Sequence, residues 1–165
     1  MSLTNYPFVF YDNDEELLRA WGEVLEVCKG KTINKIYSVW DELSNEWFEE
    51  APILVQFSHA TLAITVKSER YIALALNKIL PNQKPVWFDE EQINEMLEIE
   101  WEEELNWREY SELSDSFGKT VKNISLAHDY YNSAQLIGIM IEIYDSENII
   151  ICDVGDIIAG FKETD

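Results

Sequence analysis

The sequence predicts an α+β protein with mainly antiparallel sheets and with helices packed on one side of them. Amphipathic helical patterns precede strand-like runs twice along the chain, and several of these runs are paired across short polar turns. The two series also resemble each other, which predicts an internally duplicated helix–strand–hairpin unit.

The first helix is predicted from the segment "FYDNDEELLRAWGEVLEVCKG". Asp12 or Asn13 can cap its start, acidic residues occupy its first turn, and Gly30 is typical of a helix end. Its apolar residues recur at about 100° per residue, the spacing of one helical face. They are Leu17, Leu18, Trp21, Val24, Leu25 and Cys28.

Strands are predicted for most of the remaining first half. "KTINKIYSVW" has the β-branched and aromatic content of a strand, and "PILVQF" and "LAITV" flank "SHAT" as the arms of a hairpin would. "RYIALAL" fits either a strand or a buried helical turn. "WDELSNEWFEE" has no strand period and precedes Pro52, which predicts an exposed loop or a short helix.

A second helix is predicted after the two prolines of "LPNQKP". Between Asp89 and Asp115 the chain carries 12 acidic residues and one basic residue, Arg108. Glu100 and Glu104 project into the apolar arc of this helix, so either Glu104 pairs with Arg108 one turn on or the helix bends there. The apolar face consists of Ile93, Leu97, Trp101 and Leu105, and the opposite, solvated face is an acidic ridge of Glu95, Glu98, Glu102 and Glu109.

The second half then repeats the strand pattern. "KTVKNISLA", "IGIMIEIY" and "NIIICDV" are strand candidates, the last two joined by the turn "DSE", and "GDIIAGF" closes the ordered part. Aligning Gly30 with Gly118 superposes two copies of Gly-Lys-Thr, and "ILVQFSHATLAITV" then lies without a gap over "IMIEIYDSENIIIC" at a slightly different offset. We predict a single domain over residues 1–165, made of two pseudo-repeats over 8–80 and 87–162 that share a core.

The repeated Gly-Lys-Thr does not match a phosphate-binding loop. That loop requires G-x-x-x-x-G-K-[ST] at a strand-to-helix turn, because the first glycine lets backbone amides wrap the phosphates. Leu25 and Leu113 stand where the first glycine is needed, and a predicted helix precedes the motif instead of following it. Both glycines fit helix ends, so nucleotide binding is not expected.

Charge is the extreme property of the composition. Thirty-two acidic residues against 12 Lys and Arg give a net charge of −20 and an isoelectric point near 4.2. Such a field repels nucleic acid and anionic membranes and favours a basic partner. The two cysteines are far apart, and neither a leader-like start nor a membrane-spanning apolar run is found, so we expect a soluble protein of the reducing cytoplasm.

The sequence contains no motif of a catalytic or metal-binding site. His59 and His128 have no companion at metal-ligand spacing, no serine lies in G-x-S-x-G, and the acidic stretches lack calcium-loop spacing. We therefore assign no catalytic residue, no metal ligand and no cofactor. Glu100 and Glu104 are the best candidates if a carboxyl group acted as a general acid or base, because their predicted face is apolar.

Aromatic residues alternate with acidic residues in two segments of the chain. Tryptophan is enriched at the centres of protein interfaces, where its apolar body anchors the partner while surrounding charges steer the encounter. The alternative is that these aromatics fill the core. We predict a partner-binding surface that consists of Glu95, Glu98, Glu102, Glu109, Trp47 and Trp107.

The second half also carries a combination of "GKTVKNI", "IMIEIY" and "IIICDVGDII". This combination resembles small bacterial proteins encoded beside polymorphic toxins, and the likeness covers mainly residues 30–76 and 118–161. The resemblance implies an immunity protein, which neutralises a toxin by binding it, and it brings no catalytic residues with it. The first copy departs from the pattern, with "SER" at 68–70 where the second has "VGD".

These observations lead to one functional hypothesis and two alternatives. The hypothesis is a non-enzymatic, immunity-type inhibitor that binds a basic protein, such as a toxin nuclease, through an acidic, aromatic-rich surface. One alternative is a small hydrolase that uses Glu100, Glu104 or His59. The other is a structural accessory subunit, which a large exposed apolar patch would favour. The oligomeric state is not predicted.

Overall fold

The computed structural model describes residues 2–3, 8–48, 51–67, 70–85, 87–88, 105–132, 134–152 and 156–159. In this part of the chain the helices are α1 (Asp14–Cys28) and a 3-10 helix (Ser111–Ser116). The strands are β1 (Ser2–Leu3), β2 (Ile33–Asp41), β3 (Glu46–Trp47), β4 (Ile53–Phe57), β5 (Thr61–Lys67), β6 (Tyr71–Leu76), β7 (Trp87–Phe88), β8 (Leu105–Glu109), β9 (Val121–His128), β10 (Leu136–Ile143), β11 (Ile149–Cys152) and β12 (Asp156–Ala159).

Every pairing between these strands is antiparallel, so the predicted α+β class with mainly antiparallel sheets is confirmed. One sheet has the order β3-β2-β4-β5-β6, with β8 paired to β2 as well, and a second has the order β12-β11-β10-β9. Strands β1 and β7 form a separate pair. Strands β9, β10, β11 and β12 make an antiparallel meander in chain order, and β2, β4, β5 and β6 make a similar one, with the short strand β3 inserted between β2 and β4 in the chain.

Helix α1 forms where the sequence predicts it. The side chain of Asn13 accepts a hydrogen bond from the amide of Glu16 at 3.0 Å, which caps the first turn. Leu17, Leu25 and Cys28 are buried where α1 packs against β9, whereas Leu18, predicted on the same face, is 47% exposed. The apolar stripe is therefore narrower than the sequence pattern suggested.

The apolar runs of the first half form the predicted hairpin and one more strand. Strands β4 and β5 pair from Ile53 opposite Ile64 to Gln56 opposite Thr61, and "RYIALAL" supplies β6. Most residues of these three strands are buried. Burial on both faces of the sheet explains why their sequences are continuously apolar and do not alternate.

Two apolar clusters account for this burial. The main core draws on α1, on the first sheet and on the second sheet, so residues from both halves of the chain pack into one interior. The second apolar cluster lies on the other face of the first sheet, since Leu54 belongs to it while the next residue, Val55, belongs to the main core. Its buried members are Val39, Ala51, Leu54, Ala63, Ala75, Ile79 and Leu105.

The predicted second helix is wrong for its C-terminal part. Residues 89–104 lie outside the described residues, but Leu105–Glu109 is strand β8 and Ser111–Ser116 is a 3-10 helix. Leu105 is buried, Asn106 and Trp107 are partly buried, and Arg108 and Glu109 are exposed, so burial decreases along the strand. Pairing with β2 satisfies the backbone of this segment, and that gain overrides a helical pattern whose fit was already poor at Glu104.

The two Gly-Lys-Thr stretches meet in space. Thr32 and Thr120 form an isolated antiparallel bridge, which joins the beginnings of β2 and β9 and thereby the two sheets. Gly30 and Gly118 precede them with φ values of +78° and +79°, in the left-handed region that favours glycine. The prediction that both glycines follow a helical segment is confirmed, because Gly30 follows α1 and Gly118 follows the 3-10 helix.

Candidate functional site

The structure describes three of the six residues predicted to bind a partner. Glu95, Glu98 and Glu102 lie outside the described residues. The other three are partly or fully exposed. Trp47 lies on β3, and Trp107 and Glu109 lie on β8; both strands pair with β2.

Trp47 is placed by a tight hairpin between β2 and β3. The carboxylate of Asp41 accepts a hydrogen bond from the amide of Leu43 at 3.0 Å, and Asn45 adopts a φ of +58° to close the turn. Trp47 then pairs with Trp40 across the two strands. The loop prediction holds for residues 42–45, which form the turn, but Glu46–Trp47 is a strand, because side-chain hydrogen bonding and a left-handed asparagine reverse the chain within four residues.

The ring of Trp47 packs against two other aromatic rings, those of Trp40 and Tyr110. Its ring centroid lies 5.0 Å from that of Trp40, almost perpendicular at 87°, and 4.7 Å from that of Tyr110. Edge-on and tilted contacts of this kind are favourable between aromatic quadrupoles. The indole nitrogen of Trp47 donates to Oε1 of Glu112 at 3.3 Å, which fixes the ring beside a carboxylate.

Charged groups surround these rings. The Arg108 guanidinium lies 4.6 Å from the centre of the Trp40 ring, within the range of a cation–π contact. Glu109 pairs with Lys35 at 3.3 Å. We call the open depression here the aromatic groove, and its lining residues are Trp40, Asn45, Glu46, Trp47, Arg108, Glu109, Ser111 and Glu112.

Trp40 contributes a second feature to the aromatic groove. Its indole N–H is buried and has no hydrogen-bond acceptor among the described residues. A buried donor without an acceptor costs free energy, so few exist in folded proteins and they concentrate at sites with a function beyond packing.

Trp107 does not belong to the aromatic groove. It pairs with Val39, next to the Trp40–Asn106 pair, so Trp107 and Trp40 point to opposite faces of the sheet. Trp107 packs against the second apolar cluster and is half-buried there. The prediction that Trp47 and Trp107 form one surface is wrong, because the strand register separates them, and the core-filling alternative describes Trp107.

A second depression adjoins the aromatic groove across the 3-10 helix. It measures about 450 Å³, and Glu112 lines both depressions. We call it the acidic depression, and its lining residues are Glu112, Leu113, Asp115, Ser116, Lys119, Asp145, Ser146, Glu147 and Ile149. The 3-10 helix and the turn between β10 and β11 supply its carboxylates, so the lining of this depression comes from the second half of the chain.

Neither histidine lies in these depressions. His59 is exposed in the β4–β5 turn, where partial desolvation and then the Lys31 ammonium lower its pKa. His128 ends β9, and its Nε2 lies 2.6 Å from a carboxylate oxygen of Asp14 at the start of α1. This contact ties the second sheet to the helix.

The described residues offer little metal or thiol chemistry. No three His, Cys, Asp or Glu side chains among them are arranged to hold a metal ion. Cys28 is buried, which raises the pKa of its thiol to about 11 and keeps it protonated. Glu100 and Glu104 lie outside the described residues. No helix in the described part of the chain is long and apolar enough to cross a membrane.

The sequence analysis missed most of the aromatic groove. Arg108 and Tyr110 were assigned to a helix, and Glu46 and Glu112 were counted only as background charge. The available signal was local: the "SNEW" segment combines a turn-forming asparagine with an aromatic residue that a strand can present.

Comparisons of the chain with models of known protein families, with curated proteins and with solved structures found no match.

Proposed function

We propose that this chain is a non-enzymatic binding protein, an immunity-type inhibitor that acts in the cytoplasm by neutralising a basic protein toxin. The observation that carries the proposal is the aromatic groove. There, the partly exposed rings of Trp40 and Trp47 are bordered by carboxylates, and Trp47 also packs against Tyr110, on a chain whose net charge is −20.

The groove has the composition of an interface centre. Large aromatic bodies lose water over a wide area when a partner covers them, and tryptophan and tyrosine dominate measured hot spots. Glu46, Glu109 and Glu112 lie at its border, where charges affect the rate of encounter more than the final affinity. This division of roles suits an inhibitor that must capture a toxin quickly.

The hydrolase alternative has less support. His59 lines neither depression, and its neighbours are the Phe57 ring and the Lys31 side chain. General acid–base catalysis requires groups that converge on a substrate. The described carboxylates instead spread over an open surface, which suits contact with a macromolecule.

A capture experiment tests the proposal. The full chain would be immobilised, exposed to proteins of its source organism at low ionic strength, and eluted with increasing salt. We expect a basic protein to elute early, because surface attraction is screened as the Debye length shortens. The captured protein must then lose its own activity when the chain is added in equal amount. Retention of only neutral or acidic proteins, or an unaffected activity, would contradict the proposal.

We further propose that the chain arose by internal duplication of one unit, over 8–80 and 87–162, with the helices of the two copies packed on one side. The meanders β2-β4-β5-β6 and β9-β10-β11-β12 have the same strand order, which supports the duplication. The turns before them also match, since the amides of Lys29 and Phe117 donate to Glu26 and Ser114 at 3.2 and 3.1 Å.

A further inference from the structure

We propose that the aromatic groove seats an arginine side chain, and that the basic segment carrying it runs over the 3-10 helix into the acidic depression. This inference rests on the proposed function and defines its contact surface: the partner presents an extended segment rich in arginine.

The first argument is the contact that Arg108 already makes. Its guanidinium stacks on Trp40 at 4.6 Å, and it forms no ion pair with a carboxylate of the described residues. The contact that the described residues show for this guanidinium is therefore its stacking on the Trp40 ring. A second guanidinium that reached Trp47 would gain the same stacking and would also find Glu112 within the groove.

Arginine suits this site better than lysine does. A guanidinium is planar, is weakly hydrated, stacks on aromatic rings and can bind a carboxylate with two parallel hydrogen bonds. Glu112 offers such a carboxylate: the Trp47 indole donates to Oε1, which keeps a second lone pair, and it leaves Oε2 unused. A lysine ammonium is compact and strongly hydrated, so it would gain charge attraction but little stacking.

The second argument is the continuity of negative charge. Glu46 and Glu109 line the groove, Glu112 lines both depressions, and Asp115, Asp145 and Glu147 line the acidic depression. The cations of the two linings are Arg108 and Lys119. Carboxylates therefore outnumber cations along the whole path, which is complementary to a basic segment.

The distance between the depressions sets the spacing of the partner's basic residues. The six-residue 3-10 helix, which is kinked at Leu113, contributes residues to both depressions, so at a rise of about 2 Å each its length of roughly 12 Å is an upper limit for their separation. An extended strand advances about 3.3 Å per residue. Two basic side chains separated by about three or four residues would therefore enter the two depressions together.

Octaarginine and octalysine peptides, labelled with a fluorophore, test the inference on the full chain. Titrations at about 10 mM salt, where the Debye length is about 30 Å, and at about 150 mM give affinities under weak and strong screening. We expect octaarginine to bind about threefold to tenfold more tightly than octalysine, the range of one cation–π contact.

Trp47→Ala should remove this preference: octaarginine weakens about threefold to tenfold and octalysine changes less than about twofold. Trp47→Phe keeps a ring and should retain most of the preference, which also covers the case in which the alanine variant does not fold. A preference that persists unchanged in a folded Trp47→Ala variant would overturn the arginine seat.

Two charge-matched variants locate the binding path. Glu112→Gln with Asp115→Asn removes two carboxylates from the path, and Glu15→Gln with Glu23→Gln removes two from exposed positions of α1. We expect the first pair to weaken octaarginine several-fold more than the second. Equal weakening would mean diffuse attraction, which overturns the site but leaves the proposed function intact. If neither peptide binds the unaltered chain at about 10 mM salt, both proposals fail.

Discussion

Thr32 and Thr120 face each other across an antiparallel bridge, and four backbone hydrogen bonds surround this bridge in a symmetric pattern. If each residue of one stretch is replaced by the equivalent residue of the other stretch, each of the four bonds becomes another of the four. The two Gly-Lys-Thr stretches therefore form equivalent sides of one joint between the two sheets. The bonds run from Gly30 to Val121, from Gly118 to Ile33, from Ile33 to Lys119 and from Val121 to Lys31, at 2.7–2.9 Å.

Gly30→Ala and Gly118→Ala should each destabilise the protein by about 1–2 kcal/mol, the cost of an L-residue in the left-handed region. A Cβ atom at either position meets no atom within 4 Å, so only the backbone conformation contributes. Denaturant unfolding measures the difference. Gly22→Ala is the control: it lies inside α1 in ordinary contact with Leu18, and it should stabilise by about 0.5–1 kcal/mol.

We expect the two substitutions to lower the free energy of unfolding equally, because Gly30 and Gly118 have equivalent roles in the joint. A variant that loses no stability would show that the backbone at that position does not need a positive φ, and a stabilising effect at all three glycines would contradict the assignment of the joint.

Gly138→Ala should be far more damaging. A Cβ atom there would lie 2.1 Å from the carbonyl oxygen of Ile151 on the paired strand β11. Because both atoms belong to the backbone framework of one sheet, no side-chain rotation relieves the overlap. We expect a loss of about 3 kcal/mol or more, or failure to fold, measured by denaturant unfolding. A loss below about 1 kcal/mol would mean that the two strands separate at this point.

Asn13→Ala should cost about 1 kcal/mol, because the Asn13 side chain accepts the amide of Glu16 at the start of α1. Asp12→Ala is the matched control, since the Asp12 carboxylate contacts only the Asn13 side chain among the described residues. Thermal unfolding should therefore give a lower midpoint for Asn13→Ala than for Asp12→Ala. Similar midpoints for the two variants would argue against the cap.

The sequence correctly predicted the elements whose apolar pattern depends on burial alone. Strands with two buried faces, such as β4 and β5, are mostly apolar, so the sequence pattern identifies them without knowledge of the register. Strand β8 was missed because it continues an acidic stretch in which apolar residues recur every four positions, as they do on a helix face. Its strand conformation depends on pairing with β2, which is distant in the sequence. The prediction of the site depended on that pairing. The register pairs Trp107 with Val39 and Trp47 with the next residue, Trp40, so Trp107 enters the second apolar cluster while Trp47 lies in the aromatic groove.

Stability should fall above pH 9 through Cys28. Burial raises the pKa of its thiol from 9.0 to about 11 in the folded protein. Between these values the unfolded chain has released its proton and the folded chain has not, so the free energy of unfolding decreases as the pH rises, by about 2–3 kcal/mol in total. The measurement is denaturant unfolding from pH 8 to about pH 11. Cys28→Ala should remove this part of the slope, and an unchanged slope would exclude Cys28 as its source.

Separation of the two halves should abolish folding of each. Fragments 1–86 and 87–165 divide the main core, in which Ile36 and Val55 pack in one cluster with Val121 and Ile139. Each fragment alone would expose this apolar surface and lose the hydrogen bonds around Thr32 and Thr120. We expect neither fragment to show near-ultraviolet circular dichroism or a cooperative thermal transition, and we expect both signals to return when the fragments are mixed. Cooperative unfolding of either fragment by itself would show that the halves are independent domains.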